Sequence, residues 1–404
     1  MTAMVLARRV AVLGLLAIAL AAASGCKKKP GAAGDGGAAA GDPSLGKVVC
    51  WGLGRGGQIG NGKNDDNNKP SNVSGVDDAT KLYLGWVMSC ASTSTGLRCW
   101  GDTGAAPASN VPAPFTAIAD VADISSSTLF GCALLKSGSV KCWGSNLVGQ
   151  LGNGKAPSPA ASIKLSIKPS KHGGVDVKPV DPLPAGSQSN VPGGVTGLAD
   201  ATALAVGGSH SCALRRDGHV VCWGSNSVGQ LGDGKGSYNA TSDIPITVPG
   251  VSGAVEIASG NQATCARTPD GVWCWGSLSE KYPRDGEKVV LIPTPTKVEG
   301  LPAVVQIVAR ETEACARTAS GEVWCWTASR KPELMTNAKH AAQLSAGQKH
   351  VCARLESGGV TCWGEDNCGQ LGVPQGAKTG DSVPGVTNVI DVAAGSCHTC
   401  VLRK

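Results

Sequence analysis

The chain has 404 residues, with 57 Gly, 10 Trp and 17 Cys against only 2 Phe and 3 Tyr. Its formal net charge is +6, and five of the cations, Arg8, Arg9 and Lys27 to Lys29, precede residue 30, so the remainder carries about +1. That near-neutral body excludes the basic field nucleic acid demands, and the abundance of cysteine argues against a reducing compartment.

The first 25 residues read as an export signal: Arg8 and Arg9, a 14-residue apolar run from Val10 to Ala23, then small residues. The run is too short to span a bilayer comfortably. It ends in Ala23-Ser-Gly-Cys26, which resembles the bacterial lipobox, so Cys26 is the expected lipidation site and the membrane is reached through that anchor. Ala23 departs from the usual Leu, which leaves ordinary signal cleavage as the alternative. Lys27 after the cysteine favours the outer membrane, facing either the periplasm or the exterior. Residues 26–47, mostly Lys, Gly, Ala and Pro, form the lipidated cysteine and a flexible tether.

Residues 48–404 repeat. A cysteine is followed nine or ten residues later by Cys-Trp in six intact copies: Cys90/Cys99, Cys132/Cys142, Cys212/Cys222, Cys265/Cys274, Cys315/Cys325 and Cys352/Cys362. A seventh is split. Cys400-Val-Leu-Arg-Lys404 stops where the motif would turn, and Gly46-Lys-Val-Val-Cys50-Trp51 resumes at the other end. Such a split predicts that the two ends meet and the array closes into a ring, burying its core between neighbouring units. The interval from Cys142 to Cys222 is 80 residues, against 37 to 52 elsewhere, marking an insertion at about 157–191.

Seven pairs use fourteen cysteines, Cys26 is a fifteenth, and Cys368 with Cys397 makes an eighth couple. All eight are expected as disulfides. The loops between paired cysteines carry hairpin turns such as Arg216-Asp-Gly218 and Glu356-Ser-Gly358, with Gly where a positive φ is wanted. Paired cysteines then face each other across adjacent strands, in the closer, non-hydrogen-bonded register that a disulfide needs. The nine-residue spacing at Cys90/Cys99 and Cys265/Cys274 predicts a bulge difference there. Zinc would want four ligands, and the only close pair is Cys397-His-Thr-Cys400, so no metal or cofactor is expected.

A second phrase follows several Cys-Trp pairs: Gly144-Ser-Asn-Leu-Val-Gly-Gln-Leu-Gly152, Gly224-Ser-Asn-Ser-Val-Gly-Gln-Leu-Gly232 and Gly364-Glu-Asp-Asn-Cys-Gly-Gln-Leu-Gly372. Others precede the pairs, as in Ala203-Leu-Ala-Val-Gly-Gly-Ser-His-Ser-Cys212. In this order the motifs resemble the RCC1 repeat of the regulator of chromosome condensation family. That resemblance implies an all-β fold, a seven-bladed RCC1-like β-propeller of four-stranded blades closed by pairing of the N- and C-terminal strands. The Gly-Gln-Leu-Gly phrase is missing after Trp100, Trp275 and Trp326, which predicts altered loops there.

Apparent active-site motifs dissolve into the repeat. Gly57-Gln-Ile-Gly-Asn-Gly-Lys63, Gly149-Gln-Leu-Gly-Asn-Gly-Lys155 and Gly229-Gln-Leu-Gly-Asp-Gly-Lys235 begin like a phosphate-binding loop, but Asn64, Ala156 and Gly236 stand where Ser or Thr belongs and no helix pattern follows. His210, His350 and His398 recur at one repeat position, which points to blade packing rather than catalysis. Asp65 and Asp66 lack the glycine and downstream Glu of a calcium loop.

The expected function is therefore binding of a protein partner by a monomeric, non-enzymatic propeller. Lys164, Lys168, Lys171 and Lys178 of the insertion are the expected contacts. The resemblance also implies two alternatives: a guanine-nucleotide exchange activity, which export opposes and to which no residue can be assigned, or inhibition of an extracytoplasmic enzyme.

Overall fold

The structure is a computed structural model that describes residues 47–157, 184–237, 239–279, 291–374 and 380–404, together with the backbone of residues 165–169 and 175–179. The signal segment, Cys26 and the tether up to Gly46 lie outside the described residues.

Every repeat becomes one antiparallel sheet, and seven sheets form the ring. The first blade runs from Lys81–Leu84 to Ser109–Pro114, the second from Val121–Ser126 to Gln188–Gly194, and the third from Ala201–Val206 to Thr241–Thr247. The fourth spans Glu256–Ser259 to Ile292–Lys297, and the fifth Val304–Ala309 to Glu333–Leu334. Among the described residues the sixth has three strands, Ala341–Ala346, His350–Leu355 and Val360–Gly364, with a single bridge between Thr361 and Ser382 at the place of the fourth.

The seventh blade seals the ring. Val389–Ala394 and His398–Arg403 pair with Val48–Gly52, which in turn pairs with Asn67–Asn72. The joining register sets Val48 opposite Leu402, Cys50 opposite Cys400 and Gly52 opposite His398. All five residues of Val48–Gly52 are buried, as the central position of this strand in its sheet requires.

Hairpin length decides the shape of each blade. With ten-residue spacing, the turn has three residues and ends on a glycine in the left-handed region, as at Gly218 (φ 81°), where Arg215 N–H donates to the His219 carbonyl at 2.8 Å. With nine-residue spacing, only two residues separate paired Thr93 from Gly96 and Thr268 from Gly271. The expected bulge difference falls on the innermost strand. That strand carries an extra residue in the blades of Val121, Ala201, Val304, Ala341 and Val389, and none in the two blades with the shorter hairpin. One residue gained in the turn is matched by one gained on the inner strand.

The core lies between blades. Ile59, Val73 and Leu402 of the seventh pack with Leu82, Ala91 and Trp100 of the first, and Val220, Leu231 and Val248 of the third pack with Ile257, Ala266 and Trp275 of the fourth. The two sequence phrases explain this joint. Trp223 Nε1 donates to the Gln150 carbonyl at 3.0 Å, Trp275 to that of Gln230 at 3.0 Å, and Trp100 to that of Gln58 at 2.9 Å. The final glycine of the same phrase lies under that indole: a Cβ on Gly152 would come within 2.7 Å of Trp223. The Gly-Gln-Leu-Gly of one blade is thus the socket for the Cys-Trp of the next.

Seven disulfides join the facing cysteines: Cys50–Cys400, Cys90–Cys99, Cys132–Cys142, Cys212–Cys222, Cys265–Cys274, Cys315–Cys325 and Cys352–Cys362. Their Cα atoms are 4.0–4.1 Å apart, which is the close, non-hydrogen-bonded register. The eighth expected bond is not formed. Cys368 and Cys397 meet as thiols, Cys397 in a side-chain hydrogen bond with Cys368. They come from a loop of the sixth blade and a turn of the seventh, not from opposed strands of one sheet.

Candidate protein-binding face at the channel mouth

Antiparallel topology places the turn after each blade's first strand and the loop after its third strand at the same end of the ring. Seven first turns therefore encircle the axis at that end: residues 85–87, 127–129, 207–209, 260–262, 310–313, 347–349 and 395–397. They line a cavity of about 160 Å3 whose wall includes Trp86, Thr128, Asn261, Arg310, Glu311 and Gln348.

The wall is stitched from blade to blade. Gly208 N–H donates to the Asn261 carbonyl at 2.9 Å, Glu311 N–H to that of Gln348 at 3.0 Å, and Ser396 N–H to that of Gly85 at 3.1 Å. The cavity chemistry is mostly uncharged hydroxyl and amide. Its cation, Arg310, is held 3.0 Å from Glu313, a nearly buried carboxylate that also meets Arg330 at 3.2 Å. Lys349 on the rim pairs with Glu365 at 3.2 Å. Burial draws the Lys349 amine down, but the Glu365 carboxylate outweighs it and leaves the pKa raised. Trp86 is partly buried and is one of three tryptophans outside the repeated position.

The three recurrent histidines are joints, as their repetition suggested. His210 Nε2 meets Thr264 Oγ1 at 2.8 Å, His350 meets Thr399 at 2.8 Å and His398 meets Ser89 Oγ at 2.9 Å, each hydroxyl belonging to the next blade. Thr399 and Ser89 spend their protons on the carbonyls of Gln370 and Gln58, both at 2.9 Å. His350 and His398 must then donate through Nε2, leaving Nδ1 as a bare acceptor, and each Nδ1 is buried without a hydrogen-bond partner. Burial is the largest cause holding all three imidazoles down to about 3. Neutral, sealed imidazoles cannot serve as general bases.

The glycine-rich phrases are turns rather than phosphate cradles: Asn153 Oδ1 accepts from Lys155 N–H and Asp233 Oδ1 from Lys235 N–H, both at 3.0 Å. Asp66 is engaged by Arg55 at 2.9 Å and by Gly54 N–H at 3.1 Å. Glu313, Cys315 and Cys325 cluster, but both cysteines are in a disulfide and the carboxylate is already paired with arginine.

Of the insertion lysines, Lys164 and Lys171 lie outside the described residues. Lys168 and Lys178 fall on a two-stranded antiparallel hairpin, Leu165–Pro169 with Val175–Pro179, where Lys168 faces Asp176 and Ser166 faces Lys178. The insertion leaves the second blade after Val140–Ser145 and returns at Gln188–Gly194, so it springs from the end of the ring that carries the channel mouth. Sequence reasoning missed Trp86 and Arg310. Their signal was their departure from the repeat: Trp86 follows no cysteine, and Arg310 stands where five other blades have Gly.

Seven antiparallel blades around a channel, closed by strands from both ends of the chain, define a β-propeller. The chain carries RCC1 repeats: models of the regulator of chromosome condensation (RCC1) repeat match residues 121–150, 201–230 and 341–370, and residues 217–267. Among curated relatives, protein pim1 of Schizosaccharomyces pombe is 26% identical over 196 residues, 44% of this chain and 31% of that protein. The mitochondrial RCC1 domain-containing protein RUG3 of Arabidopsis thaliana is 26% identical over 214 residues, 52% of this chain and 41% of that one. The chain thus spans less than half the length of these relatives. Among solved structures, human WBSCR16 superposes with a TM-score of 0.70 at 18% identity over 88% of this chain and 98% of that one. Prp20p of Saccharomyces cerevisiae, whose structure was described with its binding properties to Gsp1p and histones, gives 0.65 at 18% identity over 88% and 90%. The likeness to these structures is one of fold.

Proposed function

We propose that this chain is an exported, envelope-anchored propeller that binds another protein through the end of the ring carrying the channel mouth and the 157–191 insertion. Trp86 carries the reading. A partly buried indole that lines the same cavity as Arg310, in a wall of hydroxyl and amide groups, is the composition of an interface centre, where Trp and Arg dominate binding energy. Loops held by a rigid ring supply such surfaces at little ordering cost. That Prp20p is described as binding other proteins supports this use of the fold. Fourteen paired cysteines suit an oxidising compartment, and the lipobox-like Cys26 supplies the anchor.

Proximity labelling in the native envelope, followed by binding measurements on the captured partner, tests the reading. Trp86→Ala should weaken binding by about 2 kcal/mol, roughly thirty-fold, with the fold intact. Deleting 158–183, which leaves the Gln188–Gly194 strand of the second blade in place, separates the two contact regions: unchanged binding removes the insertion lysines from the interface. Loss of neither interaction with both changes combined overturns the assignment of this end of the ring. Intact-mass measurement of the mature protein decides the anchor by the added acyl mass on Cys26.

A further inference from the structure

Cys368 and Cys397 stand apart from the other fourteen cysteines of the ring. The fourteen are buried and bonded across adjacent strands of one sheet. Cys397 instead lies on the rim turn of the seventh blade and is only partly buried, whereas Cys368, on the loop of the sixth blade, is 8% exposed. Both backbones are pinned: the Cys397 carbonyl accepts from Leu53 N–H at 2.8 Å, and Cys368 N–H donates to Gln370 Oε1 at 2.9 Å. The Lys349 ammonium lies near Cys397 and is itself held by Glu365.

We propose that Cys397 and Cys368 form a thiol–disulfide exchange site at the channel rim, Cys397 the attacking sulfur and Cys368 the resolving one, with an accessible peptide or protein disulfide as substrate. The Cys397 thiolate attacks one sulfur of R–S–S–R; that bond breaks and RS− leaves to take a proton from water. Cys368, deprotonated, then attacks the Cys397 sulfur of the mixed disulfide and releases the second RS−. The two protein thiols give up two electrons and two protons in forming one bond, and the substrate disulfide takes them up as two thiols. The same path reversed lets the oxidised pair oxidise a substrate dithiol. The hydrogen bond with Cys368, helped by the Lys349 charge, lowers the Cys397 pKa despite its burial, and so enriches the attacking thiolate. None of this depends on the channel mouth binding a protein.

The test is exchange on the folded full-length protein. After mild dithiothreitol treatment without denaturant and desalting, differential alkylation mapped peptide by peptide should find Cys368 and Cys397 as thiols and the seven repeat pairs still bonded. Added 5,5′-dithiobis(2-nitrobenzoic acid) should react at Cys397 at least about ten-fold faster than at any repeat cysteine, releasing two thionitrobenzoates per pair and leaving a Cys368–Cys397 bond. Cys368→Ser should release one and retain the mixed disulfide on Cys397; Cys397→Ser should abolish the fast phase. Lys349→Met should slow it. A pair that stays unreactive, repeat cysteines that exchange equally fast, or a Cys368→Ser variant that still releases two overturns the proposal. The wild-type mapping alone decides the matter should a serine variant fail to fold.

Discussion

Trp51 Nε1 donates to the carbonyl oxygen of Gln370 at 2.9 Å, across 319 positions of sequence and across the joint between the sixth and seventh blades. Gly372, two residues on, lies beneath the same indole, where a Cβ would come within 2.6 Å of Nε1. The joint that closes the ring is built from the same parts as those between the second and third blades and between the third and fourth.

Substituting the socket glycine should therefore cost more than its backbone conformation alone. Gly152 has φ +65° and would set a Cβ 2.7 Å from Trp223, whereas Gly197 has φ +68° with nothing within 4 Å. Gly197→Ala should cost about 1 kcal/mol for the left-handed backbone, and Gly152→Ala about 2 to 4 kcal/mol because the indole must also move. Denaturant melts of the two variants check the difference; equal losses would remove the socket from the account.

Two joints lack the acceptor. After Trp275 and Trp326 the chain departs from Gly-Gln-Leu-Gly, and the indoles seated in those places, Trp326 and Trp363, are buried with no hydrogen-bond partner for Nε1 among the described residues. By contrast, Trp143 recovers its bond where the phrase is also missing, donating to Thr103 O at 2.7 Å. Trp223→Phe strands the Gln150 carbonyl and should cost about 1 kcal/mol more than Trp326→Phe. Thermal unfolding of the two variants measures it.

Ring closure and repeat number were legible because they rest on residues that recur at fixed spacing, including a Cys50/Cys400 pair split between the chain ends. The pairing of phrases was not, because a repeat read along the chain keeps Gln150 with Trp143, while the contact joins Gln150 to Trp223 of the next blade. The channel mouth was hidden for the opposite reason. Each inner turn differs, so Trp86 and Arg310 look like noise in a repeat and become a group only when the ring brings the turns together. Cys368 and Cys397 were coupled by counting alone, which cannot say that they come from a loop and a turn of neighbouring blades.

The closing disulfide should outweigh its copies. Cys50–Cys400 spans 350 positions and Cys212–Cys222 spans 10. Loop-closure entropy gives the first an upper figure of about 6 kcal/mol and the second about 3. Removing Cys50 and Cys400 together as alanines should lower the unfolding free energy by about twice as much as removing Cys212 and Cys222. Equal effects would mean that the non-covalent strand pairing of Val48–Gly52 with His398–Arg403 already holds the ring shut in the unfolding ensemble.

Acid should loosen the ring through its histidines. His210, His350 and His398 are held down to about 3, chiefly by burial, against 6.5 for the ordinary group. Between those values the unfolded chain binds protons that the folded ring refuses, so stability is full above about pH 6.5 and declines as pH falls toward 3. At pH 5 each histidine should remove about 2 kcal/mol relative to neutral pH. His350→Gln keeps a donor for Thr399 without a titrating ring, and should shallow the slope of unfolding free energy between pH 7 and 5 by about one third of the histidine contribution. Urea melts at pH 7, 6 and 5 on wild type and variant give that slope directly; parallel curves would show that His350 titrates normally and is not sealed in its joint.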